Sequence, residues 1–238
     1  MRRVIVVLLG LLLVLVGLDF AARAAAQAAV AQQVQTAEGL ARQPDVAVNG
    51  FPFLLQALRG RYDDVEVTLQ EVPAGGTLRL DSIDARLTGV HVPLSTLLHR
   101  GRERVPVDAV RVTGTATFAT LDTQANAAMP SGLGTVQFAD GGNGLVKVTV
   151  RVTGLGVPLT LNGLAKVSIA RGKVTINVPP SALTQVPELF RGTAAQLLTQ
   201  TVPLPRLPLG LTATAVSVTP QGLTATAEAR DVQLGSRA

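Results

Sequence analysis

Hydrophobic and polar residues alternate along much of the chain beyond residue 60. The clearest alternating runs are Val65–Gln70, Val110–Thr113, Val146–Val152 and Val174–Val178. Successive side chains of a strand point to opposite faces, so these runs predict strands with one apolar and one polar face. They also predict antiparallel sheet, because the strands of parallel sheets are buried on both faces and have continuous apolar sequences.

The carboxyl-terminal region predicts a β-hairpin. Ala213–Thr219 and Leu223–Ala229 both alternate, and Pro220-Gln221-Gly222 between them has the composition of a turn. Asp140–Gly144 has a similar composition and predicts a second turn, immediately before the run that begins at Val146.

Short helices interrupt the strand pattern. Phe51, Leu54, Leu55 and Leu58 have the i, i+3, i+4, i+7 spacing of an amphipathic helix, which Gly60 ends. Weaker helical patterns cover residues 94–100, 121–129 and 183–200. Strands and helices together predict an α+β fold in which antiparallel sheet predominates.

The amino terminus has the pattern of an export signal. Met1-Arg2-Arg3 precedes fifteen uncharged residues, Val4–Leu18. As a helix this run is about 22 Å long, shorter than the roughly 30 Å hydrocarbon core of a bilayer, which favours a cleaved signal peptide. Phe20 and the alanines after it could instead extend the helix into an uncleaved anchor. Both alternatives predict a targeting segment at 1–26 and an extracytoplasmic domain at 27–238.

Charge and aromatic content argue against nucleic-acid binding. The net charge is +5, but the amino-terminal segment supplies +2 of it, from three arginines and one aspartate. The other basic residues are scattered singly, and the chain has one Tyr, six Phe and no Trp with which to stack bases. Cysteine is absent, which excludes disulfides and thiolate metal sites. We therefore expect no nucleic-acid partner. We also expect a monomer, although the sequence does not determine the oligomeric state.

No catalytic centre is predicted. His91 and His99 have no neighbouring residue at a metal-ligand or triad spacing, and no serine lies in a nucleophile elbow. Asp63 and Asp64 are adjacent in a predicted strand and point to opposite faces, so they do not share a proton. A hydrolase would need carboxylates such as Asp63 or Asp84 to converge in a pocket. We expect no enzyme activity, no metal and no cofactor.

Apolar residues are in surplus for a protein built mostly of half-exposed sheet. They make up 47% of the chain, against 16% charged residues. A cleft lined by Val, Leu, Ile and Ala could hold a lipid chain, whose fifteen or so methylenes lose about 12 kcal/mol on leaving a bilayer, at about 0.8 kcal/mol each. An ordinary solid core would have the same composition.

Two segments resemble a known family. Gly50–Val65 is similar to the Gly-Phe-Pro-Phe-Leu, Gln, Gly, Tyr, Val pattern of the LmeA-like family of actinobacterial envelope proteins. Leu204–Leu211, followed by Val216–Val218 and Gly222-Leu223, resembles the family's Leu-Pro-x-Leu-Pro-x-Gly-Leu segment and closing hairpin. With the hydrophobic amino terminus, the resemblance covers nearly the whole chain.

The resemblance implies a tubular lipid-binding (TULIP-like) fold, a curled antiparallel sheet wrapped around a few helices. It also implies phospholipid binding and a role in maintaining envelope lipoglycans. Our leading hypothesis is a protein that binds or transfers phospholipid or another acyl lipid at the membrane surface. The candidate residues for the hydrophobic cleft are Phe51, Phe53, Leu54, Leu58, Phe190 and Leu197. Phe51 and Phe53 could plug one end of a cleft or cap the core. The alternative function is a structural or interaction domain of the envelope that binds no lipid.

Overall fold

A computed structural model describes most of the chain. The described residues are 2–73, 79–92, 104–128, 131–132, 134–153, 159–170, 173–180, 188–189, 191–192, 195, 200–203 and 207–235. The predicted helix at 94–100, with His99, lies outside them, and so does most of the predicted helix at 183–200.

Helices are few and strands are many within the described residues. The helices are α1 (Arg2–Glu38), α2 (Phe53–Arg59) and α3 (Phe118–Ala128), and Pro208–Gly210 form a 3-10 turn. The strands are β1 (Asp45–Asn49), β2 (Arg61–Pro73), β3 (Arg79–His91), β4 (Val105–Thr117), β5 (Gly134–Asp140), β6 (Leu145–Val152), β7 (Leu159–Ala170), β8 (Lys173–Asn177), β9 (Gln200–Pro203), β10 (Thr212–Thr219) and β11 (Gly222–Leu234).

The strands form two antiparallel sheets, which confirms the predicted α+β class. One sheet has six strands in the order β1-β2-β3-β4-β11-β10, and the other has five in the order β5-β6-β7-β8-β9. The predicted hairpin is β10–β11, in which Thr219 pairs with Gly222. The predicted turn at Asp140–Gly144 joins β5 to β6, and the Asp140 carboxylate accepts the Gly142 N–H at 2.8 Å.

Two compact units divide the chain. Unit 1 consists of residues 1–69, 84–111 and 229–238, and unit 2 consists of residues 70–83 and 112–228. The predicted boundary between residues 26 and 27 falls inside α1, which is one continuous helix. The assignment of 1–26 as a targeting segment and 27–238 as a single lipid-binding domain stays a prediction.

In unit 1, α1 packs against β1 and α2. The buried apolar side chains of unit 1 are small aliphatic or aromatic ones. They are Ala31, Val48, Phe53, Tyr62, Val90, Val107, Val110 and Val232. The rings of Phe53 and Tyr62 lie 6.0 Å apart, and burial raises the pKa of the Tyr62 hydroxyl.

In unit 2, Asp81 of β3 fixes the start of α3. Its carboxylate accepts the Thr117 N–H at 2.7 Å and the Thr120 hydroxyl at 2.8 Å, while the Thr117 hydroxyl caps the helix by accepting the Thr120 N–H at 3.2 Å. Burial acts to raise the pKa of Asp81, but these hydrogen bonds outweigh it and hold the pKa below its ordinary value. The cap explains why α3 begins three residues before the predicted start at 121.

Side chains of α3 cover the free edge of the five-stranded sheet. The Asn126 amide donates to the Val136 carbonyl and accepts the Val136 N–H, both at 2.8 Å. One turn earlier, the Asp122 carboxylate accepts the Phe138 N–H at 2.6 Å. Two side chains four residues apart on α3 thus bind alternate residues of β5, in the way that the backbone of a further strand would. They protect the β5 edge, which could otherwise pair with another chain.

We predict that Asn126→Ala destabilises unit 2 by about 1–3 kcal/mol, because both Val136 backbone groups lose their partner. Urea unfolding monitored by circular dichroism measures the change. Thr123→Ala is the matched control, since Thr123 is exposed on the same helix and bonds only to the Ala119 carbonyl. An Asn126→Ala midpoint equal to that of the control would show that α3 does not secure the edge.

Candidate lipid-contacting site

The apolar stripe of α2 is exposed. Phe51 is 63% exposed and Leu58 74%, and Leu54 and Leu55 are also exposed. The helix instead buries Phe53 and Gln56. Of the predicted cleft residues, Phe51, Phe53, Leu54 and Leu58 are therefore close in the chain but divided between surface and core. Their assignment to a lipid cleft stays a prediction.

Gln56 explains why α2 buries this face. Its amide nitrogen donates to the Asn49 carbonyl at 3.3 Å, and its amide oxygen accepts the Asp63 N–H at 3.0 Å. Gly50, at φ +101°, leaves room for this amide, because a Cβ there would lie 2.5 Å from the Gln56 nitrogen. The Gly and Gln of the Gly50–Val65 motif thus serve one buried polar contact between α2 and the strands on either side of it.

Asp19 of α1 holds the amino terminus of α2. Its carboxylate accepts the Phe53 N–H at 2.9 Å and the Leu54 N–H at 2.7 Å, and the residue is 4% exposed. Pro52, at the N-cap position, supplies no side-chain acceptor. Asp19 therefore does the work of a helix cap from a position 34 residues earlier in the chain.

A chain of polar contacts continues from α1 into the sheet of unit 1. The Arg23 guanidinium donates to the Asn49 side-chain oxygen at 3.4 Å, and the Asn49 amide donates to Asp64 at 3.0 Å. Arg86 binds Asp64 with two hydrogen bonds, at 2.9 and 2.7 Å, and lies 3.4 Å from Glu66. Arg86 thereby holds the pKa of Asp64 below its ordinary value.

Another group of charged side chains in unit 1 is centred on Asp108. His91 Nε2 lies 3.0 Å from the Asp108 carboxylate, whose other oxygen lies 3.3 Å from Arg61. The Thr68 hydroxyl donates to Asp84. Within the described ranges, no three His, Cys, Asp or Glu side chains come together as a metal site would require.

The five-stranded sheet of unit 2 has an aliphatic face. Register pairs Phe138 with Val148, Val136 with Val150, and Val167 with Ile176 across neighbouring strands. We call this face the aliphatic wall, and its described side chains are Val136, Phe138, Val146, Val148, Val150, Ala165, Val167, Ile169 and Ile176. Val146 and Ala165 are buried, Ile176 is exposed, and the other six are half-buried.

The opposite face of this sheet is polar. A groove of about 530 Å³ lies along it and is lined mostly by Asp122, Gln137, Ala139, Lys147, Thr149, Arg151, Thr160 and Asn162. A smaller groove of about 270 Å³ in unit 1 is lined mostly by polar and small residues, among them Gln27, Gln43 and Asp45. Neither of these two grooves is an apolar tunnel.

Two predicted cleft residues, Phe190 and Leu197, lie outside the described residues. Their neighbour Leu189 is described and is 85% exposed. Sequence reasoning missed Asp19 and Gln56. A single acid in an otherwise apolar amino-terminal helix was the available signal for Asp19, and a glutamine inside the motif was the signal for Gln56.

The family comparison matches most of the chain. The model of the LmeA-like phospholipid-binding family aligns with residues 17–228. The chain belongs to this family. The match confirms the resemblance seen in Gly50–Val65 and Leu204–Leu211, and it supports lipid binding in general. It begins two residues before Asp19, so the acid that holds α2 lies within the LmeA-like region.

Comparisons with curated proteins and with solved structures gave no match. The LmeA-like family is a lipid-binding family and not an enzyme family. By length and composition α1 is able to cross a membrane, a property that amino-terminal signal sequences share.

We predict that Asp19→Ala destabilises unit 1 by about 1–3 kcal/mol, because the buried Phe53 N–H and the Leu54 N–H lose their acceptor. Asp19→Asn keeps one oxygen and is expected to lose less. Denaturant unfolding of the full chain in detergent measures the loss, with exposed Asp45→Ala as control. If all three variants unfold with the wild type, α1 does not stabilise α2.

The Asp64–Arg86 pair makes unit 1 sensitive to acid. Because the folded pKa of Asp64 lies below its ordinary value of 3.8, the unfolded chain binds more protons near that pH. The stabilisation of unit 1 by the Asp64–Arg86 pair is complete above about pH 5. It is lost as the pH falls through the pKa of Asp64 in the folded chain. Since Arg86 is 58% exposed, water screens the pair and the effect is small.

We predict that in Asp64→Asn the free energy of unfolding falls less steeply as the pH decreases, because the variant has no Asp64 carboxylate to protonate. The measurement is the unfolding midpoint from pH 5 to pH 2. Asp63→Asn is the control, since it changes the exposed neighbouring carboxylate. An equal slope for wild type and Asp64→Asn would contradict the assignment.

Proposed function

We propose that this chain is a non-catalytic phospholipid-binding protein, held at the outer face of the plasma membrane by α1. Acyl chains lie against the aliphatic wall of unit 2. By binding and transferring phospholipid, the protein supports the maintenance of envelope lipoglycans. The observation that carries the proposal is an aliphatic sheet face that is mostly half-buried, in a chain of a phospholipid-binding family.

The aliphatic wall has the chemistry that an acyl chain requires. Its side chains carry no hydrogen-bonding groups, so a lipid tail placed on it leaves no polar atom unsatisfied. Each buried methylene contributes about 0.8 kcal/mol, so contact along ten of them offsets much of the cost of leaving a bilayer. Val167 and Ile169 of β7 stand near the middle of the five strands, where a chain crossing the sheet would pass.

Retention of α1 as an anchor is supported by Asp19. Cleavage within Ala24-Ala25-Ala26 or Ala29-Val30-Ala31 would remove both Asp19 and Arg23 from the folded chain. The Phe53 N–H would then lose its acceptor in a buried position. The uncleaved helix therefore gives the more stable unit 1, and it would keep the domain beside the source of its ligand.

A phospholipid with a photoactivatable diazirine in its acyl chain tests the proposal. The full chain is reconstituted in vesicles that contain this lipid, irradiated, and digested, and the lipid adducts are mapped by mass spectrometry. Adducts are expected on β6, β7 and β8 as well as on α1. Adducts on α1 report only the surrounding bilayer and serve as an internal standard.

We predict that Val167→Gln lowers the adducts on β6–β8 about tenfold, since an unpaired amide in the wall costs about 1–3 kcal/mol. Ser168→Gln is the matched control, because Ser168 is exposed on the other face of the same strand. It should leave all adducts unchanged. Adducts confined to α1 in the wild-type chain would contradict lipid binding by unit 2.

The second candidate function is an interaction domain of the envelope. The polar groove that contains Lys147, Arg151 and Asn162 favours it, because a groove of this kind suits a polar partner better than an acyl chain. The adduct map separates the two candidates, since an interaction domain with a solid core would be labelled only on α1.

A further inference from the structure

An apolar surface surrounds α2 at its junction with α1. We call it the α2 patch, and its members are Phe20, Phe51, Leu54, Leu55 and Leu58. Phe20 is 56% exposed, Phe51 63% and Leu58 74%, while Leu54 and Leu55 are exposed to a lesser degree. Five large apolar side chains on α2, just before it and on α1 are more than the scattered apolar residues of an ordinary surface.

The α2 patch is continuous with the apolar surface of α1. Phe20 follows Leu18 by two residues on α1, and its ring lies 6.4 Å from the ring of Phe51. The side chains from Val4 to Leu18 are exposed apart from that of Val16, which is half-buried. Whatever surrounds these residues therefore also reaches the first member of the patch.

Asp19 fixes the α2 patch to α1 and is itself shielded. It is the one acid between Val4 and Ala22, and its carboxylate faces the Phe53 and Leu54 N–H groups. A carboxylate directed at lipid would be costly, but this one is 4% exposed and accepts two hydrogen bonds. The end of α1 that carries Phe20 can therefore enter an apolar medium together with α2.

Helix length sets the depth of the patch. Val4–Leu18 spans about 22 Å against a hydrocarbon core of roughly 30 Å, whereas extension to Ala22 gives about 28 Å. The longer span places Phe20 and Asp19 at the outer boundary of the core. Interfacial helices bury their apolar face about 5–10 Å into this boundary, using Phe and Leu as α2 does. Arg59, in the last turn of α2, is exposed at the edge of the patch, where lipid phosphates would lie.

We propose that the α2 patch is a membrane-docking face, inserted at the boundary between headgroups and acyl chains of the outer leaflet crossed by α1. This inference rests on the proposed retention of α1 in the membrane. It goes beyond an anchor, because two points of attachment, α1 and α2, fix the orientation of unit 1 on the bilayer. A tether alone would leave unit 1 free to rotate above the surface.

The absence of cysteine from the sequence allows a direct measurement of depth. Single variants Leu58→Cys, Leu12→Cys and Gln33→Cys are labelled with an environment-sensitive nitrobenzoxadiazole fluorophore. The full chain is then reconstituted in vesicles of phosphatidylcholine and phosphatidylglycerol that carry nitroxide-labelled lipids of known depth. Leu12 reports on the middle of α1. Gln33 is exposed on the same helix, about 20 Å along the axis from Phe20, and is the aqueous reference.

The expected result is a graded one. The Leu12 label is quenched most by deep nitroxides, the Leu58 label is blue-shifted and quenched most by shallow nitroxides, and the Gln33 label shows neither effect. If the label at position 58 shows no blue shift and no quenching, like the label at position 33, while the label at position 12 is quenched, the docking face is overturned. The proposed retention of α1 in the membrane would still stand. A Leu12 label without quenching would overturn both.

Another occupant of the patch would give a different signature. If a second copy of this chain covered it, the Leu58 label would be blue-shifted but not quenched by nitroxides at any depth, and that result also overturns the proposal. Lipid adducts on unit 2 are measured separately, so lipid binding can fail or succeed independently of these outcomes.

Discussion

The hydrogen bonds from the start of α2 to Asp19 are the interaction on which the arrangement of unit 1 depends. A carboxylate within a long apolar helix is stable in this protein because its partners come from the folded domain and exclude water. The folded domain depends on α1 in turn, since the seven-residue helix α2 follows Pro52, which supplies no side-chain cap. The helix α1 and the folded part of unit 1 therefore stabilise each other: α1 supplies the acceptor for the start of α2, and α2 supplies the donors that bind the Asp19 carboxylate.

Much of the fold could be predicted because its signals are local. The period-two runs lie in β2, β4, β6 and, apart from Val178, β8, and the turn composition at residues 220–222 identified the β10–β11 hairpin. These predictions succeed because strand alternation and turn chemistry depend on neighbours in sequence. The start of α3 was placed too late, since its cap involves Asp81, which is 36 residues earlier in the chain.

The candidate site could be predicted only in part. Spacing showed that α2 has an apolar stripe, but it could not show what covers the stripe, and the structure buries Phe53 and Gln56 in its place. That outcome depends on contacts distant in sequence, from Asp19 and from the strands around Gln56. A helical pattern fixes which residues share a face, and only tertiary contacts decide which face is inside.

The two apolar surfaces differ in shape and composition, and this difference argues for separate roles. The aliphatic wall is a broad sheet face of mostly β-branched residues, stiff side chains that form a smooth, dry surface for a flexible acyl chain. The α2 patch is small and built from Phe and Leu beside an exposed Arg59, a composition suited to the polar boundary of a bilayer. The proposed lipid site and the proposed docking face would therefore use different surfaces, because contact with a bilayer and contact with a single acyl chain impose different physical demands.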